Sequence, residues 1–247
     1  MNKIAIVTGA SRGIGAATAL LLGQQGYQVC VNYRGQRAKA DAVVAQITSA
    51  AGQAIAVQAD VGEPEQVQSM FAQVDEAFGA VTALVNSAGL TGPTCRFEAL
   101  QRADLEQVMR VNVLGLMHCT QEAVRRMSTR HGGHGGAIVN VSSGSATRGN
   151  PGNGVHYAVS KGAVNSFTIG LSQELAAEGI RVNAVSPGLT RTEMPDQARL
   201  EPDSLRNEIP MGRAGEPLDI AEGIVWLLSE HASYVAGANL RVAGGKP

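Results

Sequence analysis

Short apolar runs alternate with longer helical segments along all 247 residues of the chain. The apolar runs predict strands at residues 3–8, 27–32, 54–59, 81–85, 137–141, 180–185 and 240–242. The periodic segments between them predict helices at residues 13–25, 37–51, 63–78, 103–126, 155–177 and 218–229. Buried strands that alternate with helices pair in parallel through right-handed crossovers. The order therefore predicts an α/β protein with one doubly wound, seven-stranded parallel sheet and helices on both faces.

This architecture is a Rossmann fold, and no composition break, repeat or linker interrupts it. We therefore predict a single domain spanning residues 1–247. One connection is unusually long, at about residues 189–214, and carries Pro195, Pro202 and Pro210. Because connections in such folds usually have about 2 to 6 residues, this segment is expected to be a substrate loop.

Bulk composition excludes several classes of partner. A net charge of -1 offers no electrostatic attraction to nucleic acid or to an anionic membrane, and no apolar run approaches the roughly 20 residues that span a bilayer. The first residues run directly into a strand, so no targeting peptide is expected. Cys30, Cys95 and Cys119 are odd in number and widely spaced, which indicates free thiols in a reducing cytoplasm and no metal site. Small molecules or copies of the chain itself remain as partners.

A glycine-rich turn joins the first predicted strand to the first predicted helix. Residues 8–15 read Thr-Gly-Ala-Ser-Arg-Gly-Ile-Gly, a Gly-x-x-x-Gly-x-Gly spacing in place of the more familiar Gly-x-Gly-x-x-Gly. Glycines at this point allow a tight turn and let backbone N–H groups approach a pyrophosphate, while the helix N-terminus favours negative charge. The turn therefore predicts a dinucleotide site.

Tyr157 and Lys161 are four residues apart in a predicted helix. Such residues share one helix face, where an ammonium beside a phenol favours the ionised phenol and makes it a usable acid and base. Taken alone, the pair is more often an ordinary amphipathic pair with a half-buried tyrosine and a solvated lysine.

The residues after the second strand indicate which nicotinamide cofactor binds. An NAD site usually has an Asp or Glu here for the ribose 2′-hydroxyl, but none occurs before Asp41. Arg12, Arg34 and Arg37 could instead converge on a 2′-phosphate, which guanidinium groups recognise well. The alternative is that one or more of them simply project into solvent. We expect NADP as the cofactor.

Together these motifs resemble the short-chain dehydrogenase/reductase family, in order and over essentially the whole chain. Residues 8–15 are similar to its cofactor turn, and Tyr157 with Lys161 to its Tyr-x-x-x-Lys signature. Residues 86–89, Asn-Ser-Ala-Gly, resemble its Asn-Asn-Ala-Gly segment with serine at the second position. The tail at residues 209–213 and 240–245 resembles 3-oxoacyl reductases and the related glucose, sugar and polyol dehydrogenases.

The resemblance implies roles for individual residues. It implies catalysis by Asn112, Ser143, Tyr157 and Lys161. The family's usual serine-to-tyrosine spacing would fall on Gly144, so Ser143 is chosen with one extra residue assumed in 149–154, and Ser142 and Ser145 remain alternatives. The implied cofactor-binding residues are Gly9, Ser11, Arg12, Gly13, Ile14, Gly15, Asn32, Tyr33, Arg34, Asp60, Val61, Asn86, Ala88, Gly89, Tyr157, Lys161, Pro187, Gly188, Thr190 and Thr192.

The implied activity is hydride transfer between NADP(H) and a carbonyl or alcohol, with Tyr157 as general acid and base. Two alternatives remain: a catalytically silent NADPH-binding regulatory or assembly protein of the same fold, and an enzyme that uses the same tyrosine for dehydration or epimerisation. The resemblance also implies a homotetramer that pairs helices 103–126 and 155–177 and the C-terminal strand, although a monomer core would use much of the same apolar surface.

Overall fold

The structure is a computed structural model that describes residues 3–193 and 208–246. Seven parallel strands form one sheet in the order β3-β2-β1-β4-β5-β6-β7. The strands are β1 (Ile4–Val7), β2 (Gln28–Tyr33), β3 (Gln53–Gln58), β4 (Ala83–Asn86), β5 (Gly136–Val141), β6 (Ile180–Pro187) and β7 (Asn239–Val242). The predicted doubly wound, seven-stranded parallel sheet is confirmed.

Helices cover both faces of this sheet, as predicted. They are α1 (Gly13–Gln24), α2 (Arg37–Ser49), α3 (Pro64–Ala77), α4 (Arg102–Met109), α5 (Leu116–Met127), α6 (Ser145–Arg148), α7 (Val155–Leu175) and α8 (Pro217–Leu228). Two details differ from the sequence prediction. The expected continuous helix at 103–126 is divided by a π-helical turn, Arg110–Gly115, and the short helix α6 was not predicted. A single turn of helix carries too few residues for a periodic signal.

Two apolar cores sit on opposite faces of the sheet. Alternate residues of β1 supply them, because successive side chains of a strand point to opposite faces: Ala5 and Val7 pack with α1, α2 and α8, whereas Ile4 and Ile6 pack with α3 and α5. All three cysteines are unpaired, as expected. The small aliphatic composition thus fills both layers between the sheet and its helices.

The chain order reverses at β1, which lies between β2 and β4. At such a point the connections that leave the two central strands diverge to opposite faces and open a crevice at the carboxyl ends of the strands. The functional motifs of the sequence follow those strand ends.

The connection after β6 is described only in part. Residues 189–191 pair with the segment before α8, where the Gly215 N–H donates to the Leu189 carbonyl (2.9 Å) and the Arg191 N–H to the Gly215 carbonyl (2.8 Å). Residues 194–207 of the predicted substrate loop, including Pro195 and Pro202, lie outside the described residues. Within the described ranges, no helix is long and apolar enough to cross a membrane.

Candidate active site

A groove of about 460 Å³ opens at the carboxyl ends of the central strands. The loops after β1, β2, β3, β4, β5 and β6 all contribute to its walls. We call the part near Arg12 and Arg34 the charged end, and the part near Ser143, Tyr157 and Lys161 the enclosed end. The groove brings residues from distant parts of the sequence to one edge of the sheet, as the strand order requires.

The glycine turn, residues 8–15, forms one wall through close backbone contacts. A Cβ atom at Gly15 would lie 2.6 Å from the Gly9 carbonyl oxygen, so no larger side chain fits there. Thr8 ties the turn to the neighbouring strand end, because its Oγ1 accepts from the N–H groups of Ser87 and Ala88, each at 3.0 Å. The turn leads into α1, whose first N–H groups have no partner within the helix and point out of its N-terminus. This cradle fits a phosphate group.

Asn32 holds the glycine turn against the end of β2. Its Oδ1 accepts from the Gly9 N–H (3.2 Å), and its Nδ2 donates to the carbonyls of Val57 (3.3 Å) and Ala59 (3.1 Å). The side chain is therefore engaged by the protein itself, although Asn32 lines the groove. Asn32 therefore contributes to a ligand site by holding the groove wall in shape.

The charged end carries exposed cations. Arg12 and Arg34 line the groove, as expected, whereas Arg37 is not on its wall and donates from Nε to Asp41 Oδ2 (3.1 Å) on its own helix. Three arginines therefore do not converge as the sequence suggested, because Arg37 has a partner four residues along α2. Arg12 instead shares the carboxylate of Glu193 with Lys39.

Asp60 and Val61 line the groove after β3. The Asp60 carboxylate already has two partners: Oδ1 accepts from the Gly62 N–H (2.9 Å) and Oδ2 from Arg110 Nη2 (3.2 Å). A carboxylate has about four acceptor positions, so these contacts fix its orientation and leave acceptors for a ligand amine.

Asn112 lies in the π-helical turn between α4 and α5 and is buried. Its Nδ2 donates to the Leu90 carbonyl (2.8 Å) and to Ser160 Oγ (3.0 Å), and its Oδ1 accepts from the Leu90 N–H (2.8 Å). The missing side chain of Gly89 leaves room here: a Cβ atom would lie 3.4 Å from Asn112 Oδ1 and 3.6 Å from Lys161 Nζ. Asn112 thus braces the loop after β4 beside Lys161. A π turn within a helix is frequent at functional sites.

Lys161 is buried, with 5% of its surface exposed, and its Nζ donates to the Val141 carbonyl at 2.7 Å. Burial lowers the pKa of this ammonium from its ordinary value to about 8, because the surrounding protein solvates the charge poorly. The amine can therefore exchange a proton near neutral pH. Its Nζ lies 5.8 Å from the centre of the Tyr157 ring.

Tyr157 and Ser143 face each other across the enclosed end. Although part of Tyr157 remains exposed, burial of the phenol raises its pKa, and a hydrogen bond with Ser143 opposes that rise. We expected the Lys161 ammonium to lower the pKa of Tyr157. In the structure desolvation dominates, and Ser143 supplies the opposing effect.

The three serine candidates differ in what their hydroxyls contact. The Ser142 hydroxyl donates to Asn165 Oδ1 (2.6 Å), inside the protein. Ser145 is buried in α6 and does not line the groove. Ser143 bonds Tyr157, and its Oγ accepts from the Ser145 N–H (3.1 Å). Ser143 is therefore the serine whose hydroxyl is available beside the phenol.

Most of the predicted site residues line the groove, and two do not. Asn86 and Asn112 lie behind its wall. Asn86 is buried and donates from Nδ2 to Thr120 Oγ1 (3.0 Å) and to Asn140 Oδ1 (2.9 Å). It connects β4 to β5 and to α5, so its side chain supports the sheet beneath the groove. The other residues predicted for the cofactor are on the wall, including Pro187 at the end of β6 and Gly188, Thr190 and Thr192 after it.

Sequence reasoning missed Lys39 and Glu193. Lys39 and Glu193 are 154 positions apart, so no local pattern could pair them. His156 is buried beside Tyr157, and its Nε2 donates to the Thr91 carbonyl (3.1 Å). This contact joins the start of α7 to the loop after β4, and it depends on the fold. Among the described residues, no cluster of His, Cys, Asp or Glu is arranged to hold a metal ion.

Comparison with known proteins identifies the family. Residues 9–246 match the sequence family described as enoyl-(acyl carrier protein) reductase. A short-chain dehydrogenase from Burkholderia cenocepacia J2315, solved in complex with NADP, superposes with a TM-score of 0.89 at 35% identity and covers 98% of this chain and 97% of its own. The chain belongs to the short-chain dehydrogenase/reductase family. A mutant short-chain dehydrogenase/reductase of Serratia marcescens agrees, with a TM-score of 0.91 at 34% identity over 98% of this chain and 97% of that one.

Relatives within the family are named as oxidoreductases. An uncharacterized oxidoreductase of Escherichia coli (strain K12), YgfF, is 49% identical over 246 residues, covering 98% of this chain and 99% of that protein. The 3-oxoacyl-[acyl-carrier-protein] reductase FabG of Staphylococcus aureus is 38% identical over 246 residues, or 99% and 98% of the two chains. The similarity of this short-chain dehydrogenase/reductase to these oxidoreductases thus extends over nearly the whole sequence.

Proposed function

We propose that this oxidoreductase transfers a hydride between NADP(H) and the carbonyl or alcohol group of a small molecule, with Tyr157 as general acid and base. The observation that carries the proposal is the hydrogen bond between Ser143 and Tyr157 beside the buried Lys161, in the same groove as the glycine turn. Two hydroxyls and an amine of tunable charge at the end of a dinucleotide groove are the parts that carbonyl reduction requires.

The chemistry needs a proton donor and a hydride donor on the same carbonyl. A bound nicotinamide supplies the hydride. Ser143 and Tyr157 hydrogen-bond the substrate oxygen, and Tyr157 gives its phenolic proton to that oxygen as negative charge develops there. Because burial raises the pKa of Tyr157, the phenol is protonated at neutral pH and ready to act as an acid. A protonated phenol is the form that reduction of a carbonyl requires.

Lys161 restores the proton of Tyr157, and Asn112 holds the loop beside it. The pKa of Lys161, about 8, lies close enough to neutral pH for its amine to lose and regain a proton. Asn112 braces the loop that faces this amine, and Gly89 leaves space between them for water or a ribose hydroxyl. We assign to Lys161 both the binding of the cofactor ribose and the connection of Tyr157 to solvent.

The preference for NADP rests on the charged end. Arg12 and Arg34 line the groove after β1 and β2, and the described wall at the end of β2 presents Asn32 and Tyr33 where an NAD site would present a carboxylate. The short-chain dehydrogenase from Burkholderia cenocepacia was solved with NADP, which supports the same choice. Guanidinium groups bind a phosphate more strongly than a neutral hydroxyl.

The experiment is a substrate screen that follows the absorbance of NADPH. The panel holds 3-oxoacyl thioesters, because the Staphylococcus aureus relative is named for such a substrate, together with sugar lactones, ketones and aldehydes. Tyr157→Phe should lower turnover by at least about 10³-fold, since it removes the proton donor, but should leave the dissociation constant of NADPH within about threefold. Normal turnover by this variant would overturn the role of Tyr157. Binding of NADPH without turnover of any carbonyl would favour the silent regulatory protein instead.

We further propose a cytoplasmic homotetramer. Exposed apolar side chains on the helices expected to pair support it: Leu114 is 49% exposed, Val159 56% and Ile169 52%. Near the C-terminal strand, Trp226 and Tyr234 are also exposed. Exposed apolar side chains on these helices favour association between copies of the chain. Light scattering of the purified protein measures the mass, and a monomer would contradict the proposal.

A further inference from the structure

Glu193 places one carboxylate between two cations at the charged end of the groove. Its Oε2 accepts from Arg12 Nη1 (3.3 Å), and its Oε1 accepts from Lys39 Nζ (2.7 Å). Glu193 and Arg12 both line the groove, and Lys39 stands behind them on α2. The carboxylate thus neutralises cationic charge at the place where a 2′-phosphate would need it.

The position of Glu193 is fixed by its neighbours. Two residues before it, the Arg191 N–H donates to the Gly215 carbonyl (2.8 Å), and Arg191 Nε pairs with Glu216 (3.2 Å). One residue before it, Thr192 packs on the glycine turn, where its Cγ2 would lie 3.4 Å from a Cβ atom at Gly13. Glu193 therefore follows a segment in which Arg191 is bonded to residues before α8 and Thr192 lies against the glycine turn, and this supports the pairing with Arg12 and Lys39.

The charges determine whether Glu193 favours or opposes the binding of NADP. The two cations lower the pKa of Glu193, mainly through the Lys39 hydrogen bond, so its carboxylate is ionised at neutral pH. A 2′-phosphate carries up to two negative charges, whereas the corresponding ribose hydroxyl of NAD carries none. A fixed negative charge beside Arg12 consequently opposes NADP binding far more than NAD binding, whether the phosphate displaces the carboxylate or binds next to it.

We propose that Glu193 is a specificity-determining residue for the cofactor: by competing for Arg12 and Lys39, it weakens the binding of the 2′-phosphate and narrows the preference for NADP over NAD. The proposal rests on the proposed NADP dependence. Lys39 acts in two ways. It holds the Glu193 carboxylate at the groove, and its ammonium attracts the 2′-phosphate once that carboxylate is displaced.

Calorimetric titration of the full-length protein with NADP+ and with NAD+ tests the proposal. Glu193→Gln keeps the size of the side chain and removes its charge. It should tighten NADP+ binding by about two- to fivefold, which is the size expected for exposed ion pairs. It should change NAD+ binding by less than about 1.5-fold, because NAD+ has no 2′-phosphate. The gain should shrink at about 0.5 M salt, because screening shortens the range of exposed charges.

Glu106→Gln is the matched control, since Glu106 also pairs with an exposed arginine, Arg102, but does not line the groove. It should leave both dissociation constants unchanged. In an Arg12→Ala background, the gain from Glu193→Gln should fall, because one of the two contested cations is gone.

Two results would overturn the proposal. An equal effect of Glu193→Gln on both cofactors would show an action that does not involve the 2′-phosphate. Weaker NADP+ binding would show that Glu193 helps to hold the cofactor. Failure of the proposed NADP dependence is a separate outcome: the wild-type protein would then bind NAD+ at least as tightly as NADP+. The ratio of the two constants would still report the effect of Glu193.

Discussion

At the charged end of the groove, the side chains of Arg12 and Glu193 are each about half exposed, at 50% and 53%, whereas at the enclosed end Lys161 keeps 5% of its surface. Both ends hold a cation close to a partner. At the charged end, water and salt screen the interaction, so it changes affinity by small factors. At the enclosed end, the protein replaces the water around the amine and shifts its pKa to about 8. Burial therefore decides whether a charge adjusts ligand choice or proton transfer.

After the loss expected for Tyr157→Phe, the largest effect is expected from Ser143 at the enclosed end. Ser143→Ala should lower kcat by about 10²- to 10³-fold, because it removes a donor aimed at the developing oxyanion. Steady-state assays on the best substrate of the screen, with cofactor saturating, measure it.

Ser142→Ala and Ser145→Ala are the matched controls. The Ser142 hydroxyl is donated to Asn165, and Ser145 does not line the groove, so each variant should keep kcat within about threefold. A larger loss in either control than in Ser143→Ala would transfer the catalytic role to that serine.

The next largest effect is expected from the buried amine of Lys161, as a dependence of the free energy of unfolding on pH. The pKa of Lys161 is lowered to about 8 in the folded protein, against about 10.4 in an unfolded chain. Between these values the unfolded state binds more protons at this group, so the contribution of Lys161 to the free energy of unfolding rises with pH. The rise attributable to Lys161 between pH 8 and pH 10 should be about 2 to 3 kcal/mol. Burial raises the pKa of the Cys30 and Cys119 thiols and of Tyr157, and these groups act in the opposite direction because the unfolded thiols and phenol ionise first. The Lys161 contribution is therefore measured as a difference between wild type and a Lys161 variant.

Urea unfolding of the wild-type protein and of Lys161→Met over this pH range measures the difference. The variant also loses the hydrogen bond to the Val141 carbonyl, but that loss does not depend on pH. Lys3→Met, at an exposed lysine, is the control and should keep the wild-type slope. Parallel pH profiles for wild type and Lys161→Met would contradict a lowered pKa at the enclosed end.

The difference between local spacing and long-range contacts explains which features could be predicted from the sequence alone. All seven strands were predictable because each is a short run of apolar residues, and each of the first six has a helix after it. Their parallel pairing follows from this alternation. Tyr157, Lys161 and the glycine turn were predictable because local spacing carries their geometry. The π-helical turn at Asn112 and the ion pairs of Glu193 were not, since they depend on contacts between distant segments. Desolvation of Tyr157 was also beyond reach, because burial of one hydroxyl is a property of the packed structure.

The smallest effect is expected at the charged end. Arg12→Ala should weaken NADP+ binding by about fivefold to tenfold and leave NAD+ binding within about twofold, because Arg12 acts on the 2′-phosphate. The loss is limited because the Arg12 guanidinium is exposed and its charge is partly neutralised by Glu193. Arg34, which also lines the groove, remains in the variant. Arg102→Ala, an exposed arginine of α4 paired with Glu106, is the matched control.

Fluorescence or calorimetric titration with both cofactors, at low and high salt, separates the possible actions of Arg12. Loss of NADP+ affinity that shrinks at high salt would place Arg12 among the screened charges of the exposed end. An equal loss for NAD+ would mean that Arg12 acts through the pyrophosphate or through the glycine turn, which both cofactors share. A loss of several hundredfold that salt does not change would contradict the comparison itself, because it would require Arg12 to become as enclosed in the complex as Lys161 is in the described structure.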